Sequence, residues 1–326
     1  TSSLCIFKMV MENVTTMNGF LLMGFSDNRE LQVVHAFLFL VVYLLALAGN
    51  LIIITITTLD QALQSPMYYF LKHLSLLDLS FISVTVPQST DSALKGDGNI
   101  SHGQCVLQVF FFTSLAWAEL AILTVMSYDR YVAICFPLHY ELLMDPGTCR
   151  GAVAAVWLSG AASGILYTAA TFSITFCRDK VIRQFFCDVP QLLKLSCSND
   201  YLGVLGVAAF MSIMAFICFS SIILSYIHIF STVLKLPSAE GRSKAFSTCL
   251  PHLFVVSFFI STGTFEFLKP TSDSPSAFDL MISIFYTVVP PTLNPIIYSL
   301  RNEAMKGAVR RLLLGGDIPG KKTFLS

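Results

Sequence analysis

Residues 36–58 read AFLFLVVYLLALAGNLIIITITT and contain no charged side chain. As a helix rising 1.5 Å per residue, this run is about 35 Å long, enough to cross a hydrocarbon core of roughly 30 Å. Six further apolar stretches follow at 67–94, 106–128, 151–176, 201–234, 245–265 and 280–300. The stretch 106–128 carries only Glu119, and 67–94 holds Lys72, Asp78 and Asp91; the other four are uncharged. Apolar residues make up 55% of the 326-residue chain and charged residues 12%, whereas soluble domains carry roughly 25% charge. The solvent for most of this surface is therefore lipid. The expected fold is an all-α membrane protein of seven transmembrane helices, with a short amphipathic eighth helix after them.

The expected division is an extracellular tail over 1–32, a seven-helix domain over 33–301, and an amphipathic helix with a cytoplasmic tail over 302–326. TSSLCIFKMV, residues 1–10, has neither a long apolar core nor a small-residue cleavage site, so it does not read as a signal peptide. An odd number of spans puts the termini on opposite sides. Sequons at Asn13-Val14-Thr15 and Asn99-Ile100-Ser101 fit an external N-terminus, with both asparagines candidates for glycosylation. Lys and Arg lean toward the segments this orientation places inside. The chain is expected in the plasma membrane, in contact with lipid. Its net charge of zero gives no electrostatic case for nucleic acid.

Cys105 begins the third span, and Cys177, Cys187 and Cys197 follow the fourth. External cysteines oxidise, but four of them allow three pairings, and spacing does not choose among these. His102 precedes Cys105 by three and reads as a loop histidine beside a disulfide.

Charge placement within the spans is informative. MSYDRYVAIC, residues 126–135, sets Asp129 beside Arg130 a full crossing from Cys105, at the inner boundary. This pair is either an interfacial anchor or a switch held by weak local pairing. Glu119 and Asp78 fall near mid-membrane, where carboxylates are costly unless paired, protonated or cation-bound. No Lys or Arg shares their depth, so either one is protonated or a small cation such as sodium sits between them, with Asn50, Ser127 and Asn294 as further ligands. Pro295 kinks the last span, and Asn294 is placed to satisfy the freed backbone groups. Tyr298, four residues on, shares a face with Asn294. Beyond it Met305, Ala308, Val309, Leu312 and Leu313 form an apolar stripe, with Lys306, Arg310 and Arg311 off it, as suits a helix on the inner leaflet.

With these residues in place, the chain resembles the rhodopsin-like G-protein-coupled receptors and, within them, the olfactory receptors. The resemblance runs from Met11 to Leu314. It rests on PMYYFLKHLSLLDLSFIS (66–83), MSYDRYVAICFPLHY (126–140), KAFSTCLPHL (244–253) and PPTLNPIIYSLRN (290–302). It implies a native start near Met11 and disulfides Cys105–Cys187 and Cys177–Cys197. It implies that Asp129 releases Arg130 to meet a G protein, with Tyr131 in the same motif. Tyr226 and Tyr298 would stabilise the open cytoplasmic cavity, with Asn294 and Pro295 part of the switch. The implied partner is a stimulatory, olfactory-type heterotrimeric G protein acting through cyclic AMP.

The same resemblance puts Phe112, Thr113, Ala116 and Trp117 of the third helix at the ligand pocket. Phe210, Met211 and Met214 join from the fifth, Ile260, Gly263, Thr264 and Phe267 from the sixth, and Thr287 from the seventh. Such a lining suits a small neutral odorant held by dispersion and one hydrogen bond. No Asp stands in the outer third helix to hold an amine, and no Lys in the seventh span to form a retinal Schiff base. Three positions depart from the family pattern. Ile260 stands where many relatives carry Tyr, Pro251 replaces the usual Ser, and VPQST lacks the Lys that many carry after Pro. No HExxH, GxSxG or other catalytic set appears, so an enzyme is not expected, and no resident cofactor other than the sodium ion is implied. The competing readings are a rhodopsin-like receptor for a non-odorant molecule and, from the two midplane acids, an ion or proton transporter. The absence of internal repeats speaks against a transporter.

Overall fold

The computed structural model describes residues 19–23, 29–176, 180–182, 184–196, 202–235, 237–268, 283–285, 287–301 and 303–314. Long helices dominate them: α1 (Arg29–Leu59), α2 (Pro66–Lys95), α3 (His102–Cys135), α4 (Pro146–Phe172), α5 (Leu202–Leu234), α6 (Ala239–Leu268) and α7 (Val289–Arg301), followed by α8 (Glu303–Leu313). The first six are long and apolar enough to cross a membrane. α1 begins at Arg29, within the stretch read from sequence as tail. α3 overruns its expected end at 128 to reach Cys135, because Val132 and its neighbours still pack inward.

Local signals set the ends. Ser101 caps α3 through a reciprocal capping box with Gln104. Asp145 caps α4 by accepting from Gly147 N and Thr148 N, with Pro146 in the first turn. Gly96 ends α2 in the left-handed region at φ 70°. The guanidinium of Arg29 then donates to the Ala93 and Leu94 carbonyls, so α1 closes the orphaned end of α2.

α3 is the central post, touching α2, α4, α5 and α6, while α7 closes the ring against α1, α2 and α6. Small residues set how near α3 and α4 approach. A Cβ on Gly160 would lie 2.6 Å from the Ser114 carbonyl oxygen, and one on Gly164 would meet both Ser114 Oγ and Phe110 O. α5 buries only a narrow stripe, with Ile222, Tyr226, Ile229 and Val233 at helical spacing. Its other faces are apolar too, as in a helix dissolved in lipid.

A three-stranded sheet covers the end of the bundle expected to lie outside, which the helical pattern did not foretell. β1 (Phe20–Leu22) lies between β2 (Asn99–Ile100) and β3 (Val181–Ile182), antiparallel to the first and parallel to the second. Gly98 is needed there, since a Cβ would fall 2.1 Å from the Leu22 carbonyl oxygen. Asn99 is exposed on β2. The Ser101 hydroxyl of its sequon is the α3 cap. His102 is not a loop residue; it starts α3, is buried, and stacks with Phe20 and edge-on with Phe172. A disulfide joins Cys105 to Cys187, with their Cα atoms 5.6 Å apart. Asn13, Cys177 and Cys197 lie outside the described residues.

Pro295 removes a hydrogen-bond donor from α7 and frees the carbonyl four residues back, at Pro291. The sequence suggested that Asn294 would repair this. Asn50 of α1 does so instead, donating Nδ2 to Pro291 O at 2.8 Å, and Gly49 lets α1 come close enough. Asn294 is already committed to Asp78.

The α8 stripe is narrower than its sequence spacing implied. Met305 and Ala308 are buried and Val309 and Leu312 partly so, but Leu313 is 67% exposed at the helix end. Arg311, read as facing away, turns back to form a salt bridge with Asp60 in the α1–α2 connection. Burial raises the Asp60 carboxyl, but the Arg311 hydrogen bond and the Ala62 N–H outweigh it and hold the group below the usual range.

The α3–α4 contact makes a clean test. Gly160→Ala is expected to destabilise the helical bundle by about 1–3 kcal/mol through overpacking. Gly151→Ala on the same helix meets nothing within 4 Å and is expected to be neutral or slightly stabilising. Thermal unfolding of the two variants in detergent checks this; equal melting temperatures would remove close packing as the reason for Gly160.

Candidate functional site

Three regions along α3 carry the residues singled out in the sequence, one near each end and one at mid-depth. The outer region is built around an insertion. Beyond β3, Gln184, Phe185 and Phe186 are buried at the mouth of the bundle. Cys187 holds this segment twice, through the disulfide and through its N–H, which donates to Gln108 Oε1 at 2.8 Å. Gln108 also donates to Val84 O, and Ser89 donates to Phe185 O. The loop is therefore anchored to α2 and α3 by backbone and side-chain bonds together.

Aromatic rings continue inward from it. Phe186 stacks on Phe112 at 5.2 Å between centroids, and Phe112 meets Phe81 at 4.9 Å. Phe112, Ala116 and Ile260 pack against the main core, and Thr113 and Trp117 are partly buried. Thr287 is fully buried, its hydroxyl donating to Ser283 O. Met211 and Met214 are partly buried on the stripe of α5 that also holds Val204. Phe210 corrects the expected set: it is 52% exposed on the outer face. The inward stripe of α5 runs through 204, 208, 211, 215, 218 and 222, about 120° around the helix from 210 at 100° per residue, so the packing of the bundle decides its direction. Gly263, Thr264 and Phe267 belong to α6, but their side chains lie outside the described residues.

At mid-depth, Asn294 of α7 donates Nδ2 to both carboxylate oxygens of Asp78, at 3.1 and 2.9 Å. Glu119 is fully buried and faces the Asp78 charge. Its Oε1 has no hydrogen-bond partner among the described residues, and neither does Asn50 Oδ1. Ser127 is used up locally, donating to Thr124 O. Of the three extra ligands expected, Asn294 hydrogen-bonds to the pair, and it does so as a donor. An unpartnered buried carboxylate oxygen beside a second carboxylate suits a small hard cation or a shared proton.

At the inner end, Arg130 is buried, and its charge acts on Tyr226 of α5, Cys249 and His252 of α6, and Tyr298 of α7. His252 was missed in the sequence. The Leu123 carbonyl can only accept, so His252 Nε2 carries the hydrogen of their 3.0 Å bond. In the neutral ring Nδ1 then accepts from the Tyr226 hydroxyl at 2.7 Å. These two bonds join α3, α5 and α6. The signal that could have found His252 is a histidine within an otherwise uncharged span. Tyr131 lies at the side, in contact with Phe136 and His228 rings. Tyr298 is buried with its hydroxyl unpartnered among the described residues.

Asp129 also departs from the simple reading. It is buried, not at a wet boundary, and its carboxylate accepts from the Tyr140 hydroxyl at 2.7 Å. Burial and the Asp129 charge hold the Tyr140 phenol above its ordinary value. Tyr140 lies in a one-turn helix, Tyr140–Leu143, that the chain folds back beneath α3.

Known proteins bear directly on this arrangement. A family model described as olfactory receptor matches residues 39–315. The chain is 64% identical over 315 residues to human olfactory receptor 14J1, covering 97% of this chain and 98% of that protein. Human olfactory receptor 14A16 is 52% identical over 305 residues, covering 94% and 98%. Human olfactory receptor 14L1 is 54% identical over 299 residues, covering 92% of each chain. The family model and these relatives agree over nearly the whole chain, and the chain belongs to the olfactory receptor family.

Proposed function

We propose that this odorant receptor binds a small, mostly apolar neutral ligand in the outer half of the bundle and activates a stimulatory heterotrimeric G protein, raising cyclic AMP. The chain is a multi-pass membrane protein and a signalling receptor, not an enzyme. The observation that carries the reading is that one helix, α3, lines both constellations. Phe112 at its outer end stacks on the inserted loop, and Arg130 at its inner end sits among α5, α6 and α7. A ligand that displaces rings around Phe112 acts on the same helix whose Leu123 carbonyl holds α6 through His252. The ligand set is Phe112, Thr113, Ala116, Trp117, Met211, Met214, Ile260 and Thr287, with Gly263, Thr264 and Phe267 from α6. The N-terminus is outside and the Arg130 end faces the cytoplasm of the cell.

Arg130 is the group that meets the G protein, and Asp129 with Tyr140 sets the resting position of the inner end of α3. A ligand shifts this equilibrium only by its differential affinity for the two states, so the restraint must be weak. At matched surface level, Arg130→Ala is expected to lower odorant-evoked cyclic AMP by about tenfold or more while retaining ligand-induced thermal stabilisation. Asp129→Asn is expected to raise basal cyclic AMP. A wild-type response from Arg130→Ala would leave Arg130 as an interfacial anchor only.

Asp78 and Glu119 hold a sodium ion or a shared proton in the resting state; bound there, the ion supplies charge neutralisation and nothing else. Replacing sodium by choline is expected to change odorant potency in the wild type and not in the Asp78→Asn, Glu119→Gln double variant. An unchanged wild type at every pH would assign the pair a proton.

A further inference from the structure

The inserted loop carries one polar group that the family-derived ligand set omits. Gln184 is 1% exposed. Its Nε2 donates to Ser283 Oγ at 2.8 Å, which fixes the plane of the amide. Its Oε1 is buried and has no hydrogen-bond partner among the described residues. A buried amide oxygen left without a donor costs about 1–3 kcal/mol, so such a group in a native site calls for a reason. Thr85 of α2 shows the same condition, being fully buried with an unpartnered Oγ1. It lies one helical turn from Ser89, whose hydroxyl reaches the carbonyl of Phe185, the residue after Gln184. Two polar groups, unpartnered among the described residues, thus stand on two elements that the Ser89–Phe185 hydrogen bond joins. Both adjoin the proposed ligand set: Phe186 stacks on Phe112, and Ser283 accepts from Thr287.

From this geometry we infer that Gln184 is a ligand-recognition residue, accepting at Oε1 a hydrogen bond from the hydroxyl of a small alcohol or phenol. Thr85 is the second polar contact. The chemistry selects the class. A buried oxygen that only accepts needs a donor, which an ether, ester or ketone does not have. No charged side chain is among Gln184, Ser283, Thr287, Thr85, Ser89 and Phe185, so an ammonium or carboxylate would be buried there without a counterion. The apolar body of an alcohol instead lies against Phe112 and Phe186. Ile260, with no hydroxyl, leaves this recognition to the loop side of the mouth.

The inference rests on the odorant-receptor reading and names the ligand class of that site. The test uses cells bearing the full chain at matched surface level, with cyclic AMP as readout. Hexanol, octanol, decanol and phenol are compared with the methyl ether of each. In the wild type the hydroxyl compounds are expected to be more potent than their ethers by about tenfold, the value of one hydrogen bond. Gln184→Met keeps the side-chain volume without polar atoms and is expected to erase that preference, leaving the ethers unchanged. Thr85→Val, nearly isosteric, is expected to narrow it, and it reads the same pocket should Gln184→Met fail to reach the surface. Equal potency of alcohols and ethers in the wild type overturns the inference, assigning Oε1 to water; so does a preference that survives Gln184→Met. Activation by aldehydes or esters alone also overturns it while leaving the receptor reading in place. Silence toward every odorant class removes the receptor reading, and this one with it.

Discussion

Buried hydrogen bonds between helices are the constraint on which this structure depends. In lipid no water repairs an unmet backbone or side-chain group, so each must be met by another part of the chain. Asn50 answers the carbonyl that Pro295 orphans in α7, and Asn294 holds both oxygens of Asp78 in α2. These bonds tie α7 to α1 and α2, more than 200 residues earlier in the chain. Gly49 completes the arrangement, since a side chain there would press on the Pro295 ring. The placement of the inner half of α7, with Tyr298 turned into the core, follows from that knot.

α3 then distributes the rest. Its approach to α4 is set by Gly160 and Gly164, its outer end by the disulfide and Gln108, and its inner end by Arg130 and Asp129. Hydrophobic burial drives little of this in a membrane, where lipid tails are as apolar as leucine, so close packing and polar bonds carry the specificity. The bonds Tyr226–His252–Leu123 show the same economy at the inner end, using one histidine to join three helices. α5 is the exception. It buries only a narrow stripe and leaves its other, apolar faces exposed.

The outer mouth is covered by chain segments that do not span the membrane. β1 of the tail threads between two loops, and below it Gln184, Phe185 and Phe186 descend among the helix ends. Pro251 and Ile260, the two α6 departures from the family pattern, have different weight here. α6 runs as a helix through Pro251, and Ile260 packs as an apolar residue against the core. Among the described residues, the buried or half-buried polar side chains of this half include Gln184 of the loop, Thr85 and Ser89 of α2, Thr113 of α3, and Thr287.

Sequence by itself determined the helices. Runs of about twenty apolar residues admit no other structure in lipid, and caps such as Ser101, Asp145 and Gly96 are local signals that act over three or four residues. It also determined that Asp78, Glu119, Asp129 and Arg130 matter, because charge inside a span is too costly to be incidental. Tertiary structure alone decided the partners. Asn50 rather than Asn294 reaches Pro291 O, Tyr140 reaches Asp129, and Arg311 turns to Asp60, since each choice depends on which helix faces lie opposite. Phe210 and Leu313 point outward for the same reason. A period of 3.6 residues says which side chains share a face, and only the packed bundle says what that face meets.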